Sequence, residues 1–310
     1  MSTSSWPALK VDDWKDTRDT LHMWLQIIGK VQMVSTPLVN HWWNVAYEVS
    51  ARGLRTRIAR GPNHDFDTEF DLLDHRLVIR DASGGHRTIA LEPKTVAQFY
   101  SEVQDALGGL GVGCDIDPRP NEVDPAIPFA EDTEHKSYDA DAVTLWWRQL
   151  LAADRVFSLW RAGFAGKDSP VQLFWGSMDL SCTRYSGRTA PPHTGGGPPS
   201  CPPWVMAEAE SRENAAAGFW PGGSAEGSFY AYAYPTPDGY DKAAVSPGYF
   251  DDQLGEWILP YEEVRRSPDP DAALLAFLTS SYDAEADLAA WDRALLDVNP
   301  YRLDNKLLGG

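Results

Sequence analysis

Two spacings of apolar residues alternate along this chain. Over 12–34 (DDWKDTRDTLHMWLQIIGKVQMV), Leu21, Trp24, Leu25, Ile28 and Val31 fall on one helical stripe. Acidic residues in the first turn suit a helix N-terminus, and Pro37 closes the segment. HWWNVAYEVSARG then has the aromatic and β-branched content of a strand. HDFDTEFDLLDHRLVIRDASGGHRTIALE predicts two or three more, with SGG as a hairpin turn, and KTVAQFYSEVQDALGGLG predicts a helix ending in glycines.

The same order recurs further on. SYDADAVTLWWRQLLAADRVFSLWRAGFAG predicts a long helix with Trp146, Leu150, Ala153, Phe157 and Trp160 as its core stripe. VQLFWGSMDLSCTRYSG, WVMAEAESRENAAAGFWPGG, SFYAYAYP and EWILPYEEV predict strands, and DPDAALLAFLTSSYDAEADLAAWDRALLD predicts closing helices. Consecutive hairpins with helices at their ends predict an α+β fold of mainly antiparallel sheets with flanking helices. The repeated order fits two similar helix–sheet–helix halves, 1–120 and 121–310, packed as one compact unit, with the Pro-rich stretch 115–132 as their seam. No residue-level identity links the halves.

Composition narrows the partners. The 310 residues include 13 Trp, 12 Tyr and 11 Phe, which predicts a thick core or an aromatic-walled pocket for a small molecule. Asp and Glu outnumber Lys and Arg 45 to 27, a formal charge of −18 with no basic stripe, so neither nucleic acid nor anionic lipid is an expected partner. The start, MSTSSWPALKVDD, lacks the pattern of a signal peptide, and no stretch reaches the roughly 20 apolar residues of a membrane helix. Cys114, Cys182 and Cys201 show no CxxC spacing, which predicts reduced thiols in a cytoplasmic protein. Oligomeric state is open.

Candidate chemistry gathers in FWGSMDLSCTRYSGRTAPPH, 174–193. Taken as one strand, it puts Phe174, Gly176, Met178, Leu180 and Cys182 on a core face and Trp175, Ser177, Asp179, Ser181 and Thr183 on the other. That second face fits either a solvated sheet surface or a cavity wall with Trp175 as platform and Asp179 as base. Arg184 has core parity, so it either ends the strand or pairs with a buried acid. In SFYAYAYP, Tyr230, Tyr232 and Tyr234 share a face opposite alanines, as a cleft wall or as an edge ladder. Glu208, Glu210 and Arg212 share one predicted strand face, and GFWPGG presents Trp220 at a turn or a pocket rim.

The seven histidines show no HExxH or HxH spacing, so a metal site would have to gather ligands from distant segments. His22 lies off its helix's apolar stripe, His135 precedes the long helix beside Glu134, and His193 sits in the Pro-rich loop 189–204. The ladder Asp65, Asp67, Glu69 and Asp71 alternates with Phe66, Thr68 and Phe70, as a solvated sheet face does. Neither a phosphate loop nor a GxSxG elbow is present.

WPAL, LHMWLQIIGKVQ, NHWW, DHRLVIR, PFAEDTEH with SYD, FWGSMDLSCTRYSGR with APPH, GFWPGG and YAYP occur here in this order. With the Pro-Asp-Pro helix start, they resemble the domain-of-unknown-function family numbered 5996 over nearly the whole chain. The resemblance implies no activity. Family members tend to read Tyr-Ser-His-Glu upstream of GFWPGG, where this chain has Glu210, Ser211, Arg212 and Glu213. The resemblance therefore implies a member without that His and adapted to a different substrate.

The expected function is a cofactor-free small-molecule enzyme of isomerase, cyclase or hydrolase type, using general acid–base chemistry in an aromatic-lined pocket. Asp179 and His193 are the expected acid–base pair, with His22 and His135 in reserve. Trp175, Arg184, Arg188, Glu208, Trp220, Tyr230 and Tyr232 are the expected substrate contacts. A non-catalytic binder of an aromatic or hydrophobic metabolite and a His/carboxylate metal enzyme are the alternatives.

Overall fold

A computed structural model describes residues 6–302. Its α-helices are α1 (Lys15–Val34), α2 (Val96–Gly109), α3 (Ala140–Ala162), α4 (Pro203–Ala209), α5 (Tyr261–Arg266), α6 (Pro270–Leu288) and α7 (Arg293–Leu296). Strands β1 (Glu48–Ser50), β2 (Gly53–Arg55), β3 (Ala59–Arg60), β4 (Asp65–Asp71), β5 (Arg76–Asp81) and β6 (His86–Ala90) form an antiparallel sheet in the order β1-β2-β4-β5-β6, with β3 also on β4. Strands β7 (Gln172–Phe174), β8 (Asp179–Thr189), β9 (Arg212–Trp220), β10 (Ser228–Tyr234), β11 (Tyr249–Asp251) and β12 (Glu256–Pro260) form a second, ordered β11-β12-β10-β9-β8-β7. The α+β class predicted from the pattern is the observed one. No helix among the described residues is long and apolar enough to cross a membrane.

The chain divides into two compact units. The first runs to Leu150 and adds Gln172–Asp179 and Thr194–Ala209; the second holds Leu151–Val171, Leu180–His193 and the chain from Glu210 on. In the first unit the predicted stripe of α1 is fully buried, but so is every residue from Met23 to Gln32. A helix buried all round must satisfy its polar groups internally. Gln32 does so by donating to Asn44 O at 2.6 Å and accepting from Arg57 N at 3.0 Å. Trp24 stacks on Phe99 of α2 at 4.7 Å. On β4, Asp65, Asp67 and Glu69 alternate outward as predicted, with Arg80 of β5 ion-paired to Asp67 and Glu69, but Asp71 at the end of the ladder is buried and paired with Arg52 and Arg76.

In the second unit Phe219 and Phe229 meet across β9 and β10 at 5.2 Å, each packed against Tyr261. Register places Tyr230, Tyr232 and Tyr234 opposite Gly218, Ala216 and Asn214, while Ala231 faces Ala217 on the buried side. Asp269 caps α6 by accepting from Ala272 N at 3.0 Å, with Pro270 in the first turn.

Four strand predictions are corrected. HWWNV is a tight turn with His41 and Trp42 at φ 57° and 61°, and the strand begins only at Glu48. Trp42 Nε1 donates to Val205 O at 2.9 Å and His41 Nδ1 lies 2.9 Å from Ala209 O, so bonds to α4 override local strand propensity. WVMAEA is helical, because Pro203 starts it and Met, Ala and Glu are strong helix formers; Glu208 is therefore a helix residue. EWILP ends in a strand at Pro260, after which YEEVRR turns into α5 with acids first and arginines last, as the helix dipole favours. Finally, 172–189 is not one strand: a turn over 175–178 separates β7 from β8.

Candidate functional site

The turn between β7 and β8 is fixed from several sides within the first unit. Met178 takes φ 61°, a conformation that ends strand pairing. Trp175 is buried, and its indole N–H donates to Val45 O at 3.1 Å. Its ring lies on Gly29 of α1, where a Cβ would stand 2.2 Å away. His22 Nε2 lies 3.0 Å from Trp175 O and 2.7 Å from Gly176 O. Two facing carbonyl oxygens put the ring proton on Nε2. Burial holds His22 below the ordinary imidazole pKa, so it is a neutral clamp on the turn.

One helical turn on, Gln26 donates to Asn121 O and accepts from Asn121 N, both at 2.7 Å. A further turn on, Lys30 Nζ donates to Asn121 Oδ1 at 2.5 Å, 5.8 Å from the centre of the Trp175 ring. Burial lowers its pKa, and exposed Asp117 at 4.0 Å offsets part of that. His22, Gln26 and Lys30, at i, i+4 and i+8 on one face, thus tie both the turn and the Pro-rich segment to α1.

This scaffold brings Glu122 to Ser177. The Ser177 hydroxyl donates to Glu122 Oε2. Glu122 adopts φ 61°, and its backbone N–H donates to Pro199 O at 2.7 Å. Its carboxyl lies against Gly176, where a Cβ would come within 2.0 Å of Oε1. Burial pushes the Glu122 pKa up, the Ser177 hydroxyl pulls it back, and the charge of Asp179 pushes it up again. The result is a hydroxyl bonded to a carboxyl of raised basicity, with a second carboxylate beside it. Glu122 was not among the sequence-predicted residues; it lies 55 positions from Ser177 in an aperiodic, Pro-rich stretch.

The other predicted residues fall into separate surroundings. His135 Nδ1 lies 2.7 Å from Asp132 Oδ2, in a turn closed by Asp132 Oδ1. Glu208 accepts from His41 N at 3.0 Å. Like Asp179, Trp175 and His22, these belong to the first unit. In the second unit Tyr232 donates to Glu210 at 3.1 Å, Asn214 donates to it at 2.7 Å, and burial raises the Glu210 pKa. Tyr230 lies over Gly218 and stacks beside Tyr232, while the His193 ring lies 5.6 Å from Tyr234. Arg188 pairs with Glu213 and donates to Ala289 O, and Trp220 covers Gly222 from an exposed position.

Arg184 neither ends its strand nor finds a carboxylate at ion-pair distance among the described residues. It is 4% exposed, donates to Trp160 O, and lies 3.9 Å from the Trp160 ring centre and 4.4 Å from that of Tyr282. Burial lowers its pKa to about 10, so aromatic faces take the place of a counter-ion. No group of three or more His, Cys, Asp or Glu side chains is placed to hold a metal ion among the described residues.

Residues 6–298 match one family model, described as a family of unknown function (DUF5996). No curated protein and no solved structure matches the chain.

Proposed function

The chain belongs to the DUF5996 family, a membership that assigns no chemistry, and from the side chains we propose a small-molecule enzyme of hydrolase type working by general acid–base catalysis at Ser177 and Glu122. The observation that carries this reading is the hydrogen bond from the Ser177 hydroxyl to a half-buried carboxyl of raised pKa. A nucleophile within hydrogen-bond reach of its base, with the base itself held, is the arrangement that covalent catalysis requires.

In the proposed step the Ser177 Oγ–H proton passes to Glu122 as Oγ bonds to the carbonyl carbon of an ester or amide. The leaving group departs with that proton, and water then releases the acyl group by the same route in reverse. Asp179 keeps the Glu122 carboxyl basic by its charge. Side chains and water suffice, so no cofactor is called for. Three free cysteines suit a reducing, cytoplasmic setting.

A fluorophosphonate probe tests the pair without knowledge of the substrate. Mass spectrometry is expected to find one adduct, on Ser177, with labelling slowed at least ~10-fold in Glu122→Gln, in the range of a lost general base. The rate is expected to fall on acidification with a midpoint above the ordinary carboxylate range, because protonated Glu122 cannot accept the hydroxyl proton. An unlabelled Ser177, or labelling indifferent to Glu122→Gln, defeats the proposal; saturable tryptophan quenching without labelling would favour a binding protein instead.

A further inference from the structure

The clamp that His22 places on the β7–β8 turn orients more than the carbonyl groups it touches. Its Nε2 lies 3.0 Å from Trp175 O and 2.7 Å from Gly176 O, so two successive carbonyls point at one ring nitrogen of α1. The peptide bonds that carry them are trans. In a trans peptide plane the C=O and the N–H that follows it point in opposite directions. The N–H groups of Gly176 and Ser177 are therefore turned to the side of the turn away from His22. Neither finds a hydrogen-bond acceptor among the described residues. Gly176 is buried, and a buried N–H without an acceptor is rare in a folded chain.

The proposed reaction calls for donors at this place. As Ser177 Oγ bonds to the carbonyl carbon, the C=O π pair moves onto the carbonyl oxygen, and Glu122 becomes neutral by taking the Oγ proton. Negative charge thus passes from Glu122 to the substrate oxygen, with the Asp179 carboxylate close by. When the intermediate collapses, that pair re-forms the C=O, the bond to the leaving group breaks, and the leaving group takes the proton from Glu122. Fixed N–H dipoles aimed at the oxygen lower the barrier to both steps, each donor contributing about 10²–10³-fold in rate. Ser177 carries its N–H and its nucleophilic Oγ on one residue, so an acyl group on Oγ holds its carbonyl oxygen within reach of that N–H.

We infer that the Gly176 and Ser177 N–H groups form the oxyanion site of the Ser177 reaction, and that His22 is the residue that positions them. The inference rests on the Ser177–Glu122 reading and adds the groups that receive the charge. His22 does not meet the substrate. It acts through two carbonyls from the opposite side of the turn, which gives a buried imidazole on α1 a part in the chemistry without a proton transfer of its own.

NMR of the amide protons in the isotope-labelled full chain tests this directly. A fluorophosphonate adduct on Ser177 places a phosphoryl oxygen where the substrate oxygen would stand. The Gly176 and Ser177 amide protons are expected to move downfield on labelling, further than those of other residues. Leucine has no donor, so His22→Leu should slow labelling about 100-fold, whereas His22→Gln, which keeps an N–H, should stay within about 10-fold of wild type. The adduct that His22→Leu does form should lack both downfield shifts, which a merely structural role for His22 would leave in place. Glu122→Gln should slow labelling and keep both shifts, because it removes the base and not the donors. If His22→Leu fails to fold, the wild-type and Glu122→Gln shifts decide. A labelled Ser177 with both amide protons unmoved overturns the inference and leaves the Ser177–Glu122 pair standing, as does His22→Leu labelled at the wild-type rate. An unlabelled Ser177 overturns both.

Discussion

A Cβ at Gly176 would stand 2.0 Å from Glu122 Oε1, and one at Gly29 would stand 2.2 Å from the Trp175 ring. The two clashes differ in what must move. At Gly176 the obstacle is the tip of a flexible side chain, so Gly176→Ala is expected to swing Glu122 off Ser177 at little cost in stability, within ~1 kcal/mol. At Gly29 the obstacle is a buried indole, and Gly29→Ala is expected to cost ~1–3 kcal/mol as overpacking does. Urea melts with fluorophosphonate labelling separate the cases: Gly176→Ala should keep its midpoint and lose labelling, and a retained labelling rate would show that Glu122 does not serve Ser177. Of the residues gathered here, the sequence singled out His22 as a polar residue off an apolar stripe, and Trp175 and Asp179 as one face of a strand, though Trp175 is a buried residue of a turn. Ser177 shared that predicted face, and for all three the reason did not hold, since the turn ending at Met178 breaks the alternation. Glu122 was illegible: its contact with Ser177 is long-range, and a lone acid among prolines has no period.

Elements were readable where their burial is one-sided and misread where partners decide. The α3 stripe of Trp146, Leu150, Ala153, Phe157 and Trp160 is buried as the spacing predicts. On α1 the spacing found the apolar stripe but could not show that Gln26 and Lys30 opposite it are buried too, because their shared partner, the backbone and side chain of Asn121, lies more than 90 residues away. That pairing is testable. Gln26→Ala leaves Asn121 N–H and C=O without their side-chain partner, and an unmade buried hydrogen bond costs ~1–3 kcal/mol. The chemical-denaturation midpoint should fall accordingly with an unchanged slope. Labelling of Ser177 should drop as well, because Asn121 is the neighbour that places Glu122. An unaltered midpoint would mean that the segment's other bonds, among them Lys30 to Asn121 Oδ1, Asn121 Nδ2 to Ser200 O and Glu122 N to Pro199 O, hold it without Gln26. The turn of His41 and Trp42, read from sequence as strand, has the same origin: its bonds lie with α4, 163 residues and more away.

For the whole molecule, periodicity revealed the α+β class, but the chain leaves each unit and returns to it, and local spacing keeps no record of such returns. Global charge behaves similarly: the formal −18 describes the sequence, whereas the fold decides which carboxyls stay protonated. Glu285, Glu210 and Glu122 all have raised pKa values, so between the ordinary carboxylate range and their folded values the native chain holds protons that the unfolded chain releases. Their contribution to stability is therefore greatest at low pH and is lost as pH rises through that window. His22 has the opposite sign: its lowered pKa makes the unfolded chain the better proton acceptor, so its contribution falls as pH drops below about 6.5. Stability should peak at mildly acidic pH, between the two effects. Glu285 carries the largest share of the alkaline limb, being the most buried of the three carboxyls. Each tenfold change in its proton affinity is worth ~1.4 kcal/mol, a few degrees of Tm for a chain of this size. Glu285→Gln cannot ionise, so its Tm should decline less than the wild-type value between pH 5 and 8, while the acid limb set by His22 is unchanged. Parallel wild-type and Glu285→Gln curves across that range would mean that Glu285 is ionised in the folded protein.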